Sequence, residues 1–399
     1  MTSRTIRTSV AAVATAALVG GGVMLVGGEP AHAAQTISNI AYAPAQPANS
    51  QGHLLDLYLP SASAPTPLLI WTSGSAWMSD TGKSGASALA STFNAKGWAV
   101  AGVSVRSASQ AQFPGQIYDI KSATRWLRAN ASKYNLDPNR FAVAGDSSGG
   151  WTAAMATVTN GVASLEGDLG TTGVSSDIQV GLDLFGPIDL LQMQKMALPG
   201  SGFDHDGPSS PGSQLVGCQI QTCPDKVRLT NPLTYLDAND PPLMIMHGTN
   251  DMVVPPGQSP LIYDAYKAKC LNAQFFSVPG AGHGWSDVMS ASRQSQITVK
   301  TTKGCQETVS NGTPTASWDT VIAFFEASFK GGPTPTTTSP TPTVTTTEPT
   351  PTTSTPTTTT KSPKPTTTKK PPTKKVKTIK KCKTGKNGKK TCKTITRGK

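Results

Sequence analysis

The stretch Gly145-Asp146-Ser147-Ser148-Gly149 decides the fold, because it joins two segments with different hydrophobic periods. The residues before it, Arg140–Ala144, are a short apolar run that predicts a buried strand, and Trp151–Ala156 after it predict the start of a helix. A G-x-S-x-G turn between a strand and a helix is a nucleophile elbow, which admits only small residues beside the serine and raises its hydroxyl into a cleft. An ordinary glycine- and serine-rich turn is the alternative, and it does not explain the acid and the histidine at later strand ends.

Two later strand ends carry the partners that an active serine needs. A serine hydroxyl is a poor nucleophile at neutral pH unless a base takes its proton and a carboxylate orients that base. The apolar run Pro242–Met246 predicts a strand, and Asp251 lies in the loop beyond its carboxyl end. The run Gln274–Val278 predicts another strand, which leads into a glycine-rich loop that holds His283. The chain order serine, aspartate, histidine is the one expected for a triad of Ser147 with these residues.

The chain has only five histidines, and the other four fit the role of base less well. His32 lies in the N-terminal leader, and His53 precedes an early strand. His247 ends the strand before the predicted orienting aspartate, where a structural hydrogen bond is expected. His205 stands between two acids, but in a polar loop rich in glycine and proline a solvated group is more common than a metal ligand.

One other acid competes with Asp251 for the orienting role. Asp287 is close to His283 in sequence, but it comes after the base instead of ending a preceding strand. We therefore predict that Asp251 keeps the imidazole in the required tautomer and stabilises its charged form.

Several further segments match one family in order along the chain. They are Phe113-Pro114, Asp119, Ala123–Leu127, Gly145–Gly150 (GDSSGG), Phe185–Leu190, His247–Asp251 (HGTND) and Gly280–Gly284 (GAGHG). With these segments the chain resembles the secreted carboxylesterases of the α/β-hydrolase superfamily, which include feruloyl-esterase-like and hormone-sensitive-lipase-like enzymes. The resemblance covers about residues 50 to 330. It implies a Ser–His–Asp triad, no cofactor, and an ester substrate with a small acyl or aromatic acid part.

The loop after the third strand of this family departs from the usual pattern. Members usually carry His-Gly-Gly, then Gly or Ala, then Trp or Phe, and backbone N–H groups of the loop stabilise the tetrahedral oxyanion. Here Ser73 replaces the histidine and Ser75 replaces a glycine. Main-chain donors do not require particular side chains, and small side chains let the loop approach the substrate. The predicted donors are the N–H of Ser148 and one or two among those of Gly74, Ser75 and Ala76, and Trp77 is predicted to line the substrate pocket.

Length and patterning predict a single catalytic domain over residues 34–330. The predicted strands are Leu54–Tyr58, Leu68–Trp71, Trp98–Val105, Phe141–Ala144, Ile178–Phe185, Leu243–Met246 and Ala273–Val278, and the helices include Gly115–Tyr134 and Ala316–Lys330. Such alternation predicts an α/β fold, here an α/β-hydrolase fold with a mostly parallel central sheet and helices on both faces. Gln192–Asn231 is too irregular for the sheet, so we predict that it forms a small irregular lid over the cleft.

The N-terminus predicts secretion. Arg4 and Arg7 precede an apolar run from Val10 to about Val26. Ala31-His32-Ala33 then offers small residues for cleavage after its last position, so residues 1–33 are predicted to be a signal peptide of an extracellular protein. A retained anchor is the alternative, but the run is short for a membrane span and is interrupted by Gly20–Gly22. No later segment of the sequence approaches a transmembrane helix.

The six cysteines all lie beyond this leader, and an even number fits an oxidising compartment. None has the C-x-x-C spacing of a zinc site, so structural disulfides are expected and a metal is not. Local spacing pairs Cys218 with Cys223 and Cys382 with Cys392, which leaves Cys270 with Cys305 by elimination.

The C-terminal part of the chain differs in composition from the rest. Residues 331–368 are nearly all proline and threonine, which cannot bury a core and predict an extended linker open to O-glycosylation. Residues 369–399 form a lysine-rich tail. The chain from residue 331 onward carries a net charge of +15 and the whole chain +12, so residues 1–330 carry −3. The basic balance therefore belongs to the tail and says nothing about the active site.

The tail is symmetric about Asn387, from which Cys382 and Cys392 are equidistant. A three-residue hairpin loop with Gly388 in the left-handed conformation would set these cysteines opposite each other, which predicts a disulfide-pinned basic hairpin. We expect it to bind anionic wall polymers or acidic polysaccharide in a salt-dependent manner. A flexible charged tail that adheres to any acidic surface is the alternative. The tail lacks the interleaved aromatic residues that stack on cellulose or nucleic acid, so no specific nucleic-acid partner is expected.

Together these features predict a secreted serine carboxylic ester hydrolase that acts through an acyl-enzyme on small or aromatic acyl esters of plant polysaccharide, such as feruloyl or acetyl groups. A polyester hydrolase is the second candidate, which an open oxyanion loop and an exposed Trp77 would suit. A peptidase of the prolyl-oligopeptidase type shares a similar elbow but usually carries a propeller domain, which the sequence lacks. A wall-binding protein with an inactive hydrolase fold is the candidate from another class. The presence of Ser147, Asp251 and His283 argues against it, since an inactive scaffold needs none of them.

Overall fold

A computed structural model describes residues 32–331, 377–384 and 390–397 of the chain. The predicted signal peptide up to residue 31, the linker beyond residue 331 and the turn of the predicted C-terminal hairpin lie outside the described residues. The chain divides into two units, one up to Thr337 and one from Thr338 to Lys399. In the described ranges, none of the helices is both long and apolar enough to cross a membrane.

Ten strands of the first unit form one sheet. They are β1 (Gln35–Ala41), β2 (Leu54–Leu59), β3 (Thr66–Thr72), β4 (Ala99–Val103), β5 (Leu136–Asp146), β6 (Val180–Leu184), β7 (Leu243–Gly248), β8 (Ala273–Val278), β9 (Thr298–Lys303) and β10 (Gln306–Asn311). Their order across the sheet is β1-β2-β4-β3-β5-β6-β7-β8-β9-β10. The neighbours from β4 to β8 pair in parallel, and the pairs at the two edges are antiparallel.

Nine α-helices lie in the connections and at the end of this unit within the described residues. They are α1 (Ala86–Asn94), α2 (Gly115–Ala129), α3 (Ser148–Val158), α4 (Met193–Met196), α5 (Pro211–Val216), α6 (Pro224–Arg228), α7 (Gln258–Ala268), α8 (Trp285–Val288) and α9 (Trp318–Gly331). Short 3-10 helices lie at Gly82–Gly85, Ser132–Tyr134, Ala163–Leu165, Leu190–Gln192, Ile220–Thr222, Pro232–Thr234 and Ala291–Gln296.

Strand β3 shows why the core covers both faces of the sheet. All of its residues are buried. Leu69 and Trp71 pack in a cluster with residues of α1 and α9, whereas Leu68 and Ile70 pack in a second cluster with residues of α2 and α3. Because successive residues of a strand point to opposite faces, a strand that helices cover on both sides needs a continuous apolar run. The predicted α/β fold, with a mostly parallel sheet and helices on both faces, is confirmed.

The interior of this sheet agrees with the prediction from sequence, and its edges do not. All seven predicted strands are present as β2 to β8, with ends shifted by a few residues, and the predicted helix Gly115–Tyr134 ends at Ala129. Strands β1, β9 and β10 were not predicted. Strand β10 is exposed at five of six positions, and β9 has one apolar residue, Val299, among threonines and lysines, so neither carries the apolar run of a buried strand.

The region predicted as an irregular lid is more ordered than expected. It contains the short helices α4, α5 and α6. Their apolar residues, among them Met193, Leu215 and Val227, pack in one cluster with Trp77 and Trp151. The segment therefore lies against the start of α3, beside the elbow.

Both disulfides predicted within the first unit are confirmed. Cys218 and Cys223 are joined at an S–S distance of 2.06 Å, and Cys270 and Cys305 at 2.00 Å. In the second unit, strands β11 (Lys377–Thr384) and β12 (Lys390–Arg397) pair antiparallel, and their register sets Cys382 opposite Cys392. The predicted hairpin pairing is therefore present in the backbone, whereas the predicted turn at Gly388 lies outside the described residues.

Candidate active site

The candidate nucleophile lies at the turn from β5 to α3, which Ser147 makes alone. Its backbone has φ 56° and ψ −126°, a conformation that residues with a Cβ rarely adopt. Its N–H donates to the carbonyl oxygen of Leu184 at 2.9 Å. A Cβ on Gly149 would lie 2.1 Å from the carbonyl oxygen of Thr72, so the loop after β3 can approach this turn only beside a glycine. This geometry is that of a nucleophile elbow.

Asp251 and His283 come after β7 and β8, whose parallel pairing sets both carboxyl ends at the edge where β5 also ends. Nδ1 of the His283 imidazole lies 2.6 Å from Oδ2 of Asp251. The Asp251 side chain is fully buried and that of His283 is 20% exposed, so only the histidine can reach a ligand. Within residues 32–331, the structure contains no hydrogen bond between Ser147 and His283. Such bonds are often long before substrate binds.

The carboxylate of Asp251 contacts two backbone N–H groups and two imidazole rings. Oδ1 accepts from the N–H groups of Val253 and Val254 at 2.8 and 2.9 Å. Oδ2 faces His283 and also lies 3.2 Å from Nε2 of His247. Burial alone would raise the pKa of Asp251, but the hydrogen bonds and charges of both histidines outweigh it and hold that pKa well below its ordinary value. The carboxylate therefore stays charged at neutral pH, as stabilisation of an imidazolium requires.

His247 is held inside the protein and cannot reach a ligand, since it is only 1% exposed. Its Nδ1 lies 2.7 Å from Oγ of Ser259, and its Nε2 lies 3.1 Å from the carbonyl oxygen of Val254. These contacts connect the end of β7 to the loop that carries Asp251 and to α7. They agree with the structural role expected for this histidine.

The loop that carries His283 is fixed by two neighbours. Asp287 accepts from the N–H of Gly282 at 2.7 Å and from Nε of Arg293 at 2.6 Å, and it makes no contact of this kind with the imidazole. The ring of Phe185 lies with its centroid 4.8 Å from that of His283, in an edge-to-face arrangement. Phe185 is buried at the end of β6 with φ 46°, so a strained backbone position supplies the surface against which the imidazole rests.

The loop after β3 lies directly against the elbow. A Cβ on Gly74 would be 2.5 Å from that of Ser147. The N–H of Gly74 donates to Oδ1 of Asp146 at 2.9 Å. Burial raises the pKa of Asp146, while this hydrogen bond and the nearby His283 oppose that effect. Because the Gly74 N–H is already bound to the elbow, it is a poor choice among the predicted oxyanion donors.

The side chain of Ser148 accepts hydrogen bonds from two further N–H groups of this loop. Its Oγ accepts from the N–H of Ser75 at 2.9 Å and from the N–H of Trp77 at 3.3 Å. The N–H of Ala76 lies between these two in the chain and, within residues 32–331, has no hydrogen-bond acceptor. The backbone N–H of Ser148 opens α3, where no intrahelical acceptor exists. Ala76 and Ser148 are therefore the predicted donors whose N–H groups are available to an oxyanion.

Trp77 is only 6% exposed, which contradicts the exposed ring expected at this position. Its ring lies perpendicular to that of Trp151, with centroids 5.3 Å apart. It braces the oxyanion loop against α3, and its place in the substrate pocket stays a prediction. Ser73, which replaces the family's histidine, accepts from the indole N–H of Trp71 at 2.9 Å.

Three contributions to the site were missed by sequence reasoning: the carboxylate of Asp146, the hydroxyl of Ser148 and the ring of Phe185. All three lie in segments that were singled out from the sequence, but for other residues or for resemblance alone. The sequence does contain a signal for Asp146 and Ser148. Both are polar, they flank Ser147, and the neighbouring loop must keep N–H groups free for the oxyanion.

His205 contacts Gln194 and Phe203. Its N–H donates to Oε1 of Gln194 at 2.8 Å, and its ring stacks on Phe203 at a centroid distance of 6.0 Å. Burial lowers the pKa of His205, and the neighbouring acids oppose that shift. Across the described residues, no group of three or more His, Cys, Asp or Glu side chains is arranged to hold a metal ion.

Comparison with known proteins identifies the family to which this site belongs. Residues 55–266 match the esterase family described as BD-FAE, and this segment is more than half of the chain's 399 residues. The chain belongs to the BD-FAE family. The matched segment contains Ser147 and Asp251 and ends before His283. The predicted relationship to α/β-hydrolase carboxylesterases is thereby confirmed.

Solved structures and curated sequences agree with this assignment. The chain is similar to a truncated form of a carbohydrate esterase from gut microbiota, with 32% identity and a TM-score of 0.61 over 74% of this chain and 96% of that one. It is 37% identical to a bifunctional GH43-CE protein of Bacteroides eggerthii, with a TM-score of 0.56 over 62% of this chain and 35% of that one. It is 28% identical to Esterase LipC of Mycobacterium tuberculosis over 239 residues, 57% of this chain and 55% of LipC. The chain thus spans about half the length of the curated relatives it matches.

Proposed function

We propose that this BD-FAE protein is a secreted serine carboxylesterase that forms an acyl-enzyme on Ser147. The observation that carries the proposal is the 2.6 Å contact of His283 with a buried, charged Asp251, at the sheet edge where the elbow lies. A buried carboxylate fixes the tautomer of the imidazole, so that Nε2 is left to take a proton. Membership of an esterase family supports the same chemistry.

In the proposed mechanism Oγ of Ser147 attacks the ester carbonyl while Nε2 of His283 takes the hydroxyl proton. The carbonyl oxygen becomes an oxyanion, which the N–H groups of Ser148 and Ala76 stabilise at the positive end of α3. Collapse of this intermediate breaks the bond to the alcohol, which receives the proton from His283. Water then attacks the acyl-enzyme, gives its proton to the same imidazole, and releases the acid as Ser147 regains its hydrogen.

The proposed substrates are small or aromatic acyl esters of plant polysaccharide, with feruloyl and acetyl groups as the candidates. Similarity to a carbohydrate esterase and to a GH43-CE protein supports an ester carried on carbohydrate. Two disulfides in the first unit and the predicted leader support an extracellular location. The polyester alternative loses one of its arguments, because Trp77 is buried.

The test compares the full chain with its Ser147→Ala variant on methyl ferulate and on p-nitrophenyl acetate. Ser132→Ala, at an exposed serine away from the elbow, is the matched control. We expect Ser147→Ala to lower kcat on the order of 10⁶-fold, with an unchanged thermal transition, and Ser132→Ala to keep full activity. Residual activity above about a tenth would refute Ser147 as the nucleophile, since loss of a triad serine leaves far less.

The two substrates separate the acyl groups. Release of ferulate at a kcat/KM comparable to that for the acetate would support an aromatic acyl pocket. Cleavage of the acetate alone would leave the triad in place and direct the search to acetylated polysaccharide. A full chain that cleaves neither ester, while folded, would favour the catalytically silent wall-binding protein.

A further inference from the structure

The second unit contains a two-stranded ribbon whose register assigns each residue to one of two faces. Strands β11 and β12 pair from Lys377 opposite Arg397 to Thr384 opposite Lys390. Residues directly opposite each other in an antiparallel pair belong to the same face, and successive residues of one strand belong to opposite faces. The positions of all cations in the ribbon are therefore set by the backbone.

The cations are distributed unequally between these faces. We call one of them the basic face. It consists of the positions of Lys377, Lys381, Lys383, Lys393 and Arg397, together with those of Ile379, Thr391 and Ile395. The other takes Lys380 and Lys390, together with Thr378, Cys382, Thr384, Cys392, Thr394 and Thr396. Five cations thus lie on one face and two on the other.

Like charges stand directly opposite each other only on the basic face. Lys377 is opposite Arg397 and Lys381 is opposite Lys393, whereas each cation of the other face is opposite a threonine. Opposed like charges destabilise an antiparallel pair. Residues 369–399 contain no aspartate or glutamate that could compensate them. The basic face therefore carries a charge arrangement that an external anion would relieve.

We propose that the basic face binds a linear anionic polysaccharide through its repeated negative groups. At about 3.4 Å per residue the two like-charged pairs are about 14 Å apart along the ribbon, with Lys383 about 7 Å beyond. A polymer with charges repeated along its length can meet this row of cations simultaneously. Binding then results from release of condensed counterions and weakens as salt increases.

The composition of the tail favours a polysaccharide over a single-stranded nucleic acid. Proteins that bind single strands without sequence preference stack the bases on aromatic side chains. Residues 369–399 contain no phenylalanine, tyrosine or tryptophan. This inference goes beyond the proposed esterase function and does not depend on the triad.

The register provides a matched pair of variants for the test. Lys381→Gln with Lys393→Gln removes a like-charged pair from the basic face, and Lys380→Gln with Lys390→Gln removes the same charge from the other face. The first variant cannot unfold the ribbon through charge, because it removes repulsion between the strands. Each is made in the full chain, and its Kd for labelled polygalacturonate is measured by fluorescence anisotropy from about 50 to 200 mM salt.

We expect the basic-face variant to bind at least tenfold more weakly at the lowest salt. The slope of its plot of log K against log salt should be shallower by roughly 1.5, since each neutralised charge contributes about 0.7 to 0.9 to that slope. The other-face variant should stay within twofold of the unchanged chain. Equal losses in both variants would overturn the proposal, because a tail that acts only through total charge makes no such distinction. Absence of binding by the unchanged chain would overturn it as well.

Two further measurements separate the remaining interpretations. Neutral xylan should not compete with polygalacturonate, and single-stranded DNA that binds more than tenfold tighter than polygalacturonate would replace the proposal with a nucleic-acid ligand. Both variants should hydrolyse p-nitrophenyl acetate at the rate of the unchanged chain. Failure of the ribbon proposal is therefore distinguishable from failure of the esterase proposal.

Discussion

Ser148 contributes to the elbow with its side chain as well as with its backbone. Its Oγ accepts the N–H groups of Ser75 and Trp77 and leaves that of Ala76 between them. Ala76 and Trp77 have φ values of 52° and 59°, a conformation that costs a residue with a Cβ on the order of 1 kcal/mol or more. The loop therefore depends on an acceptor that holds it in place, and Ser148 is that acceptor.

We predict that Ser148→Ala lowers kcat about 10- to 100-fold, somewhat less than loss of a whole oxyanion donor, while KM changes less than about threefold. The N–H of Ala76 stabilises an oxyanion that develops only in the transition state. A loosened loop therefore lowers kcat more than it weakens substrate binding. Steady-state kinetics on p-nitrophenyl acetate give both constants. Ser148→Thr keeps the hydroxyl and should recover most of kcat. Unchanged kcat in Ser148→Ala would show that the hydroxyl does not position the loop.

Asp183 is a single residue whose titration should be visible in the stability of the whole domain. It is fully buried in β6, and burial raises its pKa to about 7 against the opposing hydrogen bond from the N–H of Gly186. Its Oδ2 has no hydrogen-bond partner within residues 32–331, so ionisation is not compensated there. The native state therefore holds a proton that the unfolded chain loses above a pKa of about 3.9.

The difference in the pKa of Asp183 between the native and unfolded states determines how stability changes with pH. Between about pH 4 and 7 the native state binds more protons than the unfolded state, so stability falls as pH rises, by up to about 1.4 kcal/mol per pH unit from this group. Asp183→Asn cannot ionise and should lack that part of the slope. Urea unfolding of both proteins across this range measures it, with the 93%-exposed Asp225 changed to Asn as the control. A difference in free energy that stays constant with pH would contradict the assignment.

At the scale of elements, the sequence predicts strands that carry a regular apolar pattern and misses strands that form only through pairing with their neighbours. Strand β3 is apolar throughout because helices cover both of its faces, and such a run is visible in one dimension. Strand β9, next to the edge, has one valine among threonines and lysines, and it becomes a strand by pairing with β8 and β10. The candidate triad was predictable because parallel strands end at one edge. The contacts of Ser148 were not, since they arise from the folded path of a loop that the elbow motif does not include.

The two disulfides of the first unit connect elements over different spans, and this should determine how much each stabilises. Cys270, just after α7, is joined across 35 positions to Cys305 in the turn between β9 and β10, whereas Cys218 and Cys223 are five positions apart. Closing the longer loop removes more entropy from the unfolded chain. We predict that replacing Cys270 and Cys305 by alanine costs about 4 kcal/mol and replacing Cys218 and Cys223 about 2 kcal/mol. Urea unfolding of the two double variants gives both values, and a larger loss from the short loop would contradict the chain-entropy reasoning.

At the scale of the whole molecule, charge and fold are divided between the two units. Every strand of the ten-stranded sheet and each residue of the candidate triad lies within residues 32–331, whereas the chain after Gly331 carries a net charge of +15. We predict that a chain ending at Gly331 keeps kcat/KM on p-nitrophenyl acetate within about twofold, because long-range charge acts weakly on a neutral ester at physiological salt. Its net charge changes from +12 to −3, so at pH 7 we expect a cation exchanger to retain the full chain and not the truncated one. Retention of both chains on the exchanger would show that the positive charge of the residues after Gly331 does not determine binding to an anionic surface. Loss of activity on truncation would show that the first unit depends on the second.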